Sequence, residues 1–424
     1  MKPHPYLKGH ALNDGKLWVN GEHRFLKTGK PLRDYGNAEQ IEALIADLPI
    51  IAAKGYSNIA INCYWHHFNP SGNGQIEVSV EPLKKLIAAI HEAGMYASLS
   101  VETYGVGGGQ IPDGFWDNNP DALAVNHHGE FSSDTEYGYG TKVPSLFSEA
   151  YLTASRAYMT NLVAALGAEN FLYFETTVEP QFMGAQWLDY SETAKAAYKA
   201  WLKTYGDANA ASFPESFPAS EEFRTSKSWN TFRAQALAEW INGDARALRA
   251  GSKNQEIWIA SDYLDAEDYT LQQRCGDPIE LLRNMTETDI IQVNWAWCNI
   301  DRKPNQKAYD RVKQVMQETG RDWVVTEHMT INGTDYFVSD MDGLLRNSLE
   351  NGTHFGWEFV DICADTDSPD TKPNEVLPGD FKPQHFSVYD ANWEPKPPMQ
   401  IVENNWKKWM ELVAIAGNPS EVQA

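Results

Sequence analysis

Short apolar runs in this sequence end on carboxylates. Glu102 closes MYASLSVE, Glu175 and Glu179 stand four residues apart in YFETTVEP, Glu327 follows VVT, and Glu358 follows the tryptophan of HFGWEF. Aromatic and polar side chains share these positions: Asn62 within INCY and Trp65 and His66 after it, Tyr104 beside Glu102, Trp295 and Trp297 in QVNWAWC, and Trp357 beside Glu358. Carboxylates flanked by flat apolar rings suit cleavage of a glycosidic bond. One carboxylic acid protonates the leaving oxygen while a second carboxylate attacks the anomeric carbon, the two about 5–5.5 Å apart when configuration is retained. A single glutamate ending a strand is more often a solvated rim residue; a pair with tryptophans ending neighbouring strands is harder to obtain by accident. Glu179, fixed by Pro180, and Glu327 are the candidate pair. Glu175 reads as a buried, hydrogen-bonded support.

The elements that must position these residues alternate. Apolar runs of strand length follow segments of helical period from RFLKTGKPL to THFGWEFVD, giving eight strands, nearly all followed by a helix. Ile41, Leu44, Ile45, Leu48 and Ile51 mark a helix face in which Pro49 predicts a kink or an early stop, and Pro82 opens the next helix. This alternation predicts an α/β fold, a (β/α)₈ TIM barrel, as a single domain over residues 1–424. Residues 1–23 form an N-terminal extension, and 205–229 a surface excursion after strand four. The site would then be built at the carboxyl ends of the strands, with strands four and seven on opposite walls.

Composition narrows the function classes. The 424 residues are 42% hydrophobic and 22% charged, with no run long enough for a membrane span and no apolar leader at the N-terminus, so a cytoplasmic location is expected. A net charge of −23 opposes binding to nucleic acid and to anionic membranes. The four cysteines, Cys63, Cys275, Cys298 and Cys363, have no CxxC spacing, and no metal site or cofactor motif is expected; GVGGGQ lacks the features of a phosphate cradle. The expected partner is an oligosaccharide substrate. Fifteen tryptophans provide aromatic surface that could also support a homo-oligomer. The residue pattern leaves other barrel enzymes open, such as a lyase or isomerase using a metal or a lysine or histidine base.

The ordered segments NIAINCYWHHFNPSGNGQ, IPDGFWDNNPDALAVNHHGE, WLKTYGDANA, SWNTFRAQALAEW, DIIQVNWAW, VVTEHM and HFGWEF resemble the catalytic barrel of glycoside hydrolase family 42, the β-galactosidases, from about Gly36 to Trp357. That family lies in a clan of retaining barrel glycosidases whose catalytic glutamates end strands four and seven. The resemblance implies Glu179 as acid/base and Glu327 as nucleophile. It also implies that Asn62, Trp65, His66, Glu102, Tyr104, Glu175, Trp295, Trp297, Trp357 and Glu358 line the sugar site. Three departures stand out. Val178 occupies the place of an asparagine that contacts the sugar 2-hydroxyl. The strand-two arginine is missing, with Arg24 or Arg33 as its only replacements. The chain ends soon after the barrel, so the trimer-forming and β-domains are expected to be absent. The expectation is a retaining, exo-acting hydrolase of β-linked, galactoside-like or modified sugars, an algal galactan oligosaccharide or a mannoside among them; the competing expectation is a catalytically silent, carbohydrate-binding barrel.

Overall fold

The computed structural model describes residues 1–104, 111–131, 133–134, 141–182, 188–205, 227–264, 274–294, 306–329, 341–360, 362, 388–390 and 392–417. Eight parallel strands close into a barrel. In chain order they are strand one (Leu26–Lys30), two (Asn58–Tyr64), three (Tyr96–Glu102), four (Phe174–Glu175), five (Ile259–Leu264), six (Ile290–Asn294), seven (Val324–Met329) and eight (Gly356–Val360). The expected (β/α)₈ barrel is therefore the observed one. Helices Ala38–Ala53, Glu81–Glu92, Glu149–Leu166, Lys227–Ala250, Gln306–Thr319, Met341–Glu350 and Pro397–Gly417 occupy the segments between and after the strands. Their starts are written locally: Asn37 accepts hydrogen bonds from the Glu39 and Gln40 N–H groups, and Ser148 from Tyr151 N–H. Pro49 neither stops its helix nor ends it early. It lies on the exposed face of Ala38–Ala53, where the hydrogen bond it forfeits falls on the solvent side.

Ladder register sorts the strand residues into two sets. Parallel partners share a pleat direction, so one lumen-facing residue fixes the parity of the whole barrel. Lys30, which reaches Glu175 across the barrel, fixes it here. Following the register from Thr28 through Asn58, Ser98, Ser100, Glu175, Ala260, Asp262, Gln292, Thr326, Gly356 and Glu358 traces the lumen set. The other set, including Ile59, Ile61, Leu99, Val101, Ile291, Val293 and Trp357, joins the main core with the helices.

Where residues 1–23 were read from sequence as an extension, the chain forms a four-stranded antiparallel sheet of Lys2–Pro3, His10–Asn13, Lys16–Val19 and Glu22–Arg24. Its Leu12, Leu17 and Val19 pack with Leu26, Leu172, Trp258, Ile290, Val324 and Phe355 at the amino ends of the barrel strands. The sheet thus seals the bottom of the lumen and leaves the carboxyl ends as its open mouth. Between the helices Glu192–Tyr205 and Lys227–Ala250, residues 206–226, the core of the expected excursion, lie outside the described residues. Among the described residues no helix is long and apolar enough to cross a membrane.

Gly356 starts strand eight where a Cβ would meet the Leu26 carbonyl oxygen at 2.5 Å and the Leu26 Cβ at 2.8 Å. Both are held by the strand one–strand eight ladder, so neither can move aside cheaply. Gly356→Ala is expected to lower stability by about 1–3 kcal/mol through overpacking, read as a fall in the urea midpoint with an unchanged denaturant slope.

Candidate active site

Strand one places Lys30 in the lumen by parity with Leu26 and Thr28. Its Nζ lies 2.9 Å from Glu175 Oε2 and 3.2 Å from Oε1 on strand four, and 2.9 Å from Glu358 Oε1 on strand eight. All three side chains are 1% exposed. Burial alone would discharge Lys30, but Glu175, Glu358 and Glu102 outweigh it and hold the ammonium charged well above the usual lysine range. Gln292 on strand six donates to Glu358 Oε2 at 3.5 Å. Glu175 and Glu358, expected at the sugar site, are therefore brought together around a cation that had not been expected. Lys30 was legible in the period-two pattern of LKTGK, which puts it in phase with Leu26.

Glu102 ends strand three, 2% exposed. Its Oε1 accepts from Val178 N–H at 2.9 Å and from Ser100 Oγ at 3.2 Å. Burial pushes its carboxyl up from 4.5 to about 8, Lys30 opposing and Glu175 assisting, so Glu102 is neutral at pH 7. On the other side of strand four, Asp262 of strand five accepts Glu179 N–H at 2.9 Å. Glu179 itself is 5% exposed and adopts φ +48°, a left-handed conformation for a residue with a side chain. That conformation costs about 1–2 kcal/mol and must be held by its surroundings. The next residues are tied down as well: Gln181 pairs with Arg274, and Phe182 N–H donates to the Arg274 carbonyl at 2.7 Å.

Asn62 faces the lumen on strand two, and its buried Oδ1 has no hydrogen-bond partner among the described residues. His66 is partly exposed on the short helix Trp65–Phe68 that follows strand two. Three aromatic expectations are corrected. Trp65 is fully buried between Phe115, Tyr151 and Tyr158, with its indole N–H on Asn69. Tyr104 is buried edge-on to Trp240 of a surrounding helix. Trp357 has helix-facing parity: it packs on Phe25, Trp406 and Trp409 and donates to Ser348 Oγ. None of the three presents a ring face to a sugar. Trp295 and Trp297 lie outside the described residues. Of the two proposed replacements for an arginine, Arg24 is solvent-exposed and paired with Glu22, and Arg33 is buried after strand one with Nη1 on the Leu32 carbonyl.

Glu327 is fully buried, and its ladder partners are Val293 and Trp357. Register therefore groups it with the helix-facing set, one residue before the position level with Glu358. The simple picture of Glu179 and Glu327 facing each other from opposite walls is not what strand parity gives; Glu358 is the strand-end carboxylate that parity turns inward. Among the described residues no group of three or more His, Cys, Asp or Glu could hold a metal ion.

Removing the one cation that bridges strands one, four and eight leaves two buried carboxylates without it. Lys30→Met is expected to cost about 3–5 kcal/mol in urea unfolding at pH 7. For Glu102, the folded pKa lies above the unfolded one, so stability is greatest below 4.5 and is lost as pH rises through about 8. Glu102→Gln removes this titration. Between pH 5 and 8.5 the melting temperature of the wild type is expected to fall relative to that of the variant.

The comparisons agree with this architecture. Residues 39–212 match the family model described as β-galactosidase, glycoside hydrolase family 42. No match is found among curated proteins. Among solved structures, a cold-adapted β-galactosidase from Rahnella sp. R3 aligns with TM-score 0.67 at 12% identity, over 96% of this chain and 58% of that one. A GH42 β-galactosidase from G. stearothermophilus aligns with TM-score 0.64 at 15% identity, over 93% and 58%. The catalytic domain of a β-amylase from Paenibacillus polymyxa aligns with TM-score 0.62 at 13% identity, over 86% and 97%. This chain thus spans a little under three-fifths of the length of the two β-galactosidases. Residues 39–212 thus resemble the β-galactosidases of glycoside hydrolase family 42, and the whole chain shares their (β/α)₈ barrel fold.

Proposed function

We propose that the protein is a retaining, exo-acting glycoside hydrolase that cleaves β-linked, galactoside-like oligosaccharides by double displacement, with Glu179 as acid/base. The observation that carries this reading is the placement of Glu179. It follows strand four at the mouth of a carboxylate-lined lumen, in a left-handed conformation anchored by Asp262. A residue that only decorated a rim would not sustain that backbone cost. At 5% exposure Glu179 is also largely shielded from bulk water.

Glu327 is the proposed nucleophile, on its position in strand seven of a family 42-like barrel. A second reading is favoured by strand parity: Glu358 has lumen-facing register and pairs with Lys30 Nζ at 2.9 Å. Val178, whose side chain cannot hydrogen-bond, argues for a sugar altered or differently oriented at C2.

A panel of aryl β-glycosides is the direct test. Wild type is expected to cleave at least one glycone, and Glu179→Ala to lose about 10²–10⁴-fold in kcat/KM on its phenyl glycoside. Azide is expected to rescue Glu327→Ala, yielding a glycosyl azide of inverted configuration. Trapping with the matching 2-deoxy-2-fluoro glycosyl fluoride, followed by peptide mass analysis, is expected to label Glu327; a label on Glu358 transfers the role to strand eight. Val178→Asn is expected to shift glycone preference towards sugars with a free 2-hydroxyl. A wild type that binds sugars but cleaves none would mark a silent, carbohydrate-binding barrel.

A further inference from the structure

Strand four is short. Its regular pairing covers only Phe174 and Glu175, and the last ladder bond to strand five runs from Thr176 N–H to the Ala260 carbonyl, 3.1 Å. Beyond it, the chain must still present Glu179 at a defined height over the lumen, and two of the N–H groups on the way, those of Val178 and Glu179, are taken by side chains of the neighbouring strands. Carboxyl oxygens are the acceptors. Val178 N–H goes to Glu102 Oε1 on strand three, and Glu179 N–H to Asp262 Oδ2 on strand five.

We propose that Glu102 is a positioning residue for the acid/base: by holding Val178 N–H from strand three while Asp262 holds Glu179 N–H from strand five, it fixes the left-handed turn from which Glu179 projects. The inference rests on the reading of Glu179 as acid/base. Two successive N–H groups clamped to opposite walls leave the peptide between them little freedom to rotate, and φ of Glu179 depends on that rotation. Glu102 is itself held by Ser100 Oγ and is almost completely buried, so its acceptor is placed before substrate arrives. Only Oε1 makes the contact, while Oε2 has no partner among the described residues. A neutral glutamine therefore keeps the bond. An aspartate, one methylene shorter, withdraws it, and a leucine removes it.

The test uses two substrates of the glycone identified in the panel: the phenyl glycoside, whose leaving group needs a proton, and the 2,4-dinitrophenyl glycoside, whose leaving group does not. Glu102→Leu is expected to lower kcat/KM on the phenyl glycoside by about tenfold or more, within the range that acid catalysis contributes, and to leave the dinitrophenyl value within about twofold. Glu102→Gln is expected to retain both. Should Glu102→Leu fail to fold, Glu102→Asp carries the test with the same expected split. Equal losses on both substrates, or no loss on either, overturn the proposal, because a purely structural residue would not discriminate between leaving groups. Glu179→Ala on the same pair separates the two readings. If it shows the split and the Glu102 variants do not, only the positioning role fails. If Glu179→Ala shows no split, or wild type cleaves no glycone, the acid/base reading fails and the positioning role with it.

Discussion

The ion cluster of Lys30, Glu175 and Glu358 is the constraint to which the rest of the barrel answers. TIM-barrel interiors are commonly filled by layers of branched apolar side chains. In this lumen the floor is apolar, where the amino-terminal sheet packs on the strand starts. Above it lies a polar column. Asn58 Nδ2 donates to Ser98 Oγ at 2.9 Å and to Thr28 Oγ1 at 3.2 Å, and the three-residue ion cluster comes above. Each group there has lost water, so each must find a partner or carry a penalty of several kcal/mol. One lysine reaching strands four and eight at once lets three walls meet without an apolar plug. Glu102 is pushed towards its protonated form chiefly by burial, with Glu175 adding to the effect and Lys30 opposing it.

That polar column determines how the active site can be built. A lumen closed by charge instead of by hydrocarbon leaves hydrogen-bonding groups at the mouth, where a sugar would meet them. It also means that strand four can end early, because the neighbouring strands offer carboxyl oxygens in place of backbone carbonyls for the N–H groups of Val178 and Glu179. Carboxyl oxygens accept backbone N–H groups in either protonation state, and they can sit at a height that a continued ladder would not reach. Glu179 leaves the strand's alternation through its positive φ, so its direction is set by the turn and not by pleat parity.

The alternation of apolar runs and helical periods made the barrel legible from sequence, because each pattern reports burial of one face and eight repeats leave few other architectures. The early stop allowed at Pro49 does not occur: the residue lies on the exposed face and the helix runs on to Ala53. Among the candidate site residues, the strand-ending carboxylates Glu102, Glu175 and Glu358 have lumen-facing register. The aromatic assignments failed for one reason: proximity to a strand end was used where parity decides. Trp357 and Glu358 are adjacent, and only one of two adjacent strand residues faces the lumen. Counting from Glu358 would have sent Trp357 to the helices and raised the same question about Glu327. Lys30 was passed over because the search was for an arginine, although a lysine in phase with the lumen satisfies the same need for a buried cation. No single-sequence signal announces the turn at Glu179, since positive φ in a glutamate is imposed by tertiary contacts.

Val178 shows how such a site can change specificity without losing its geometry. The anchoring of the turn uses the backbone N–H of residue 178, which every residue except proline provides, whereas any contact with substrate would use its side chain. Position and recognition are thus carried by different atoms of one residue. An asparagine could be exchanged for valine there with the Glu102 bond intact, altering what the pocket recognises and not where Glu179 stands. Strand parity, the floor and the carboxyl anchors are constrained by packing and desolvation, while side chains that only meet the ligand are free to follow it.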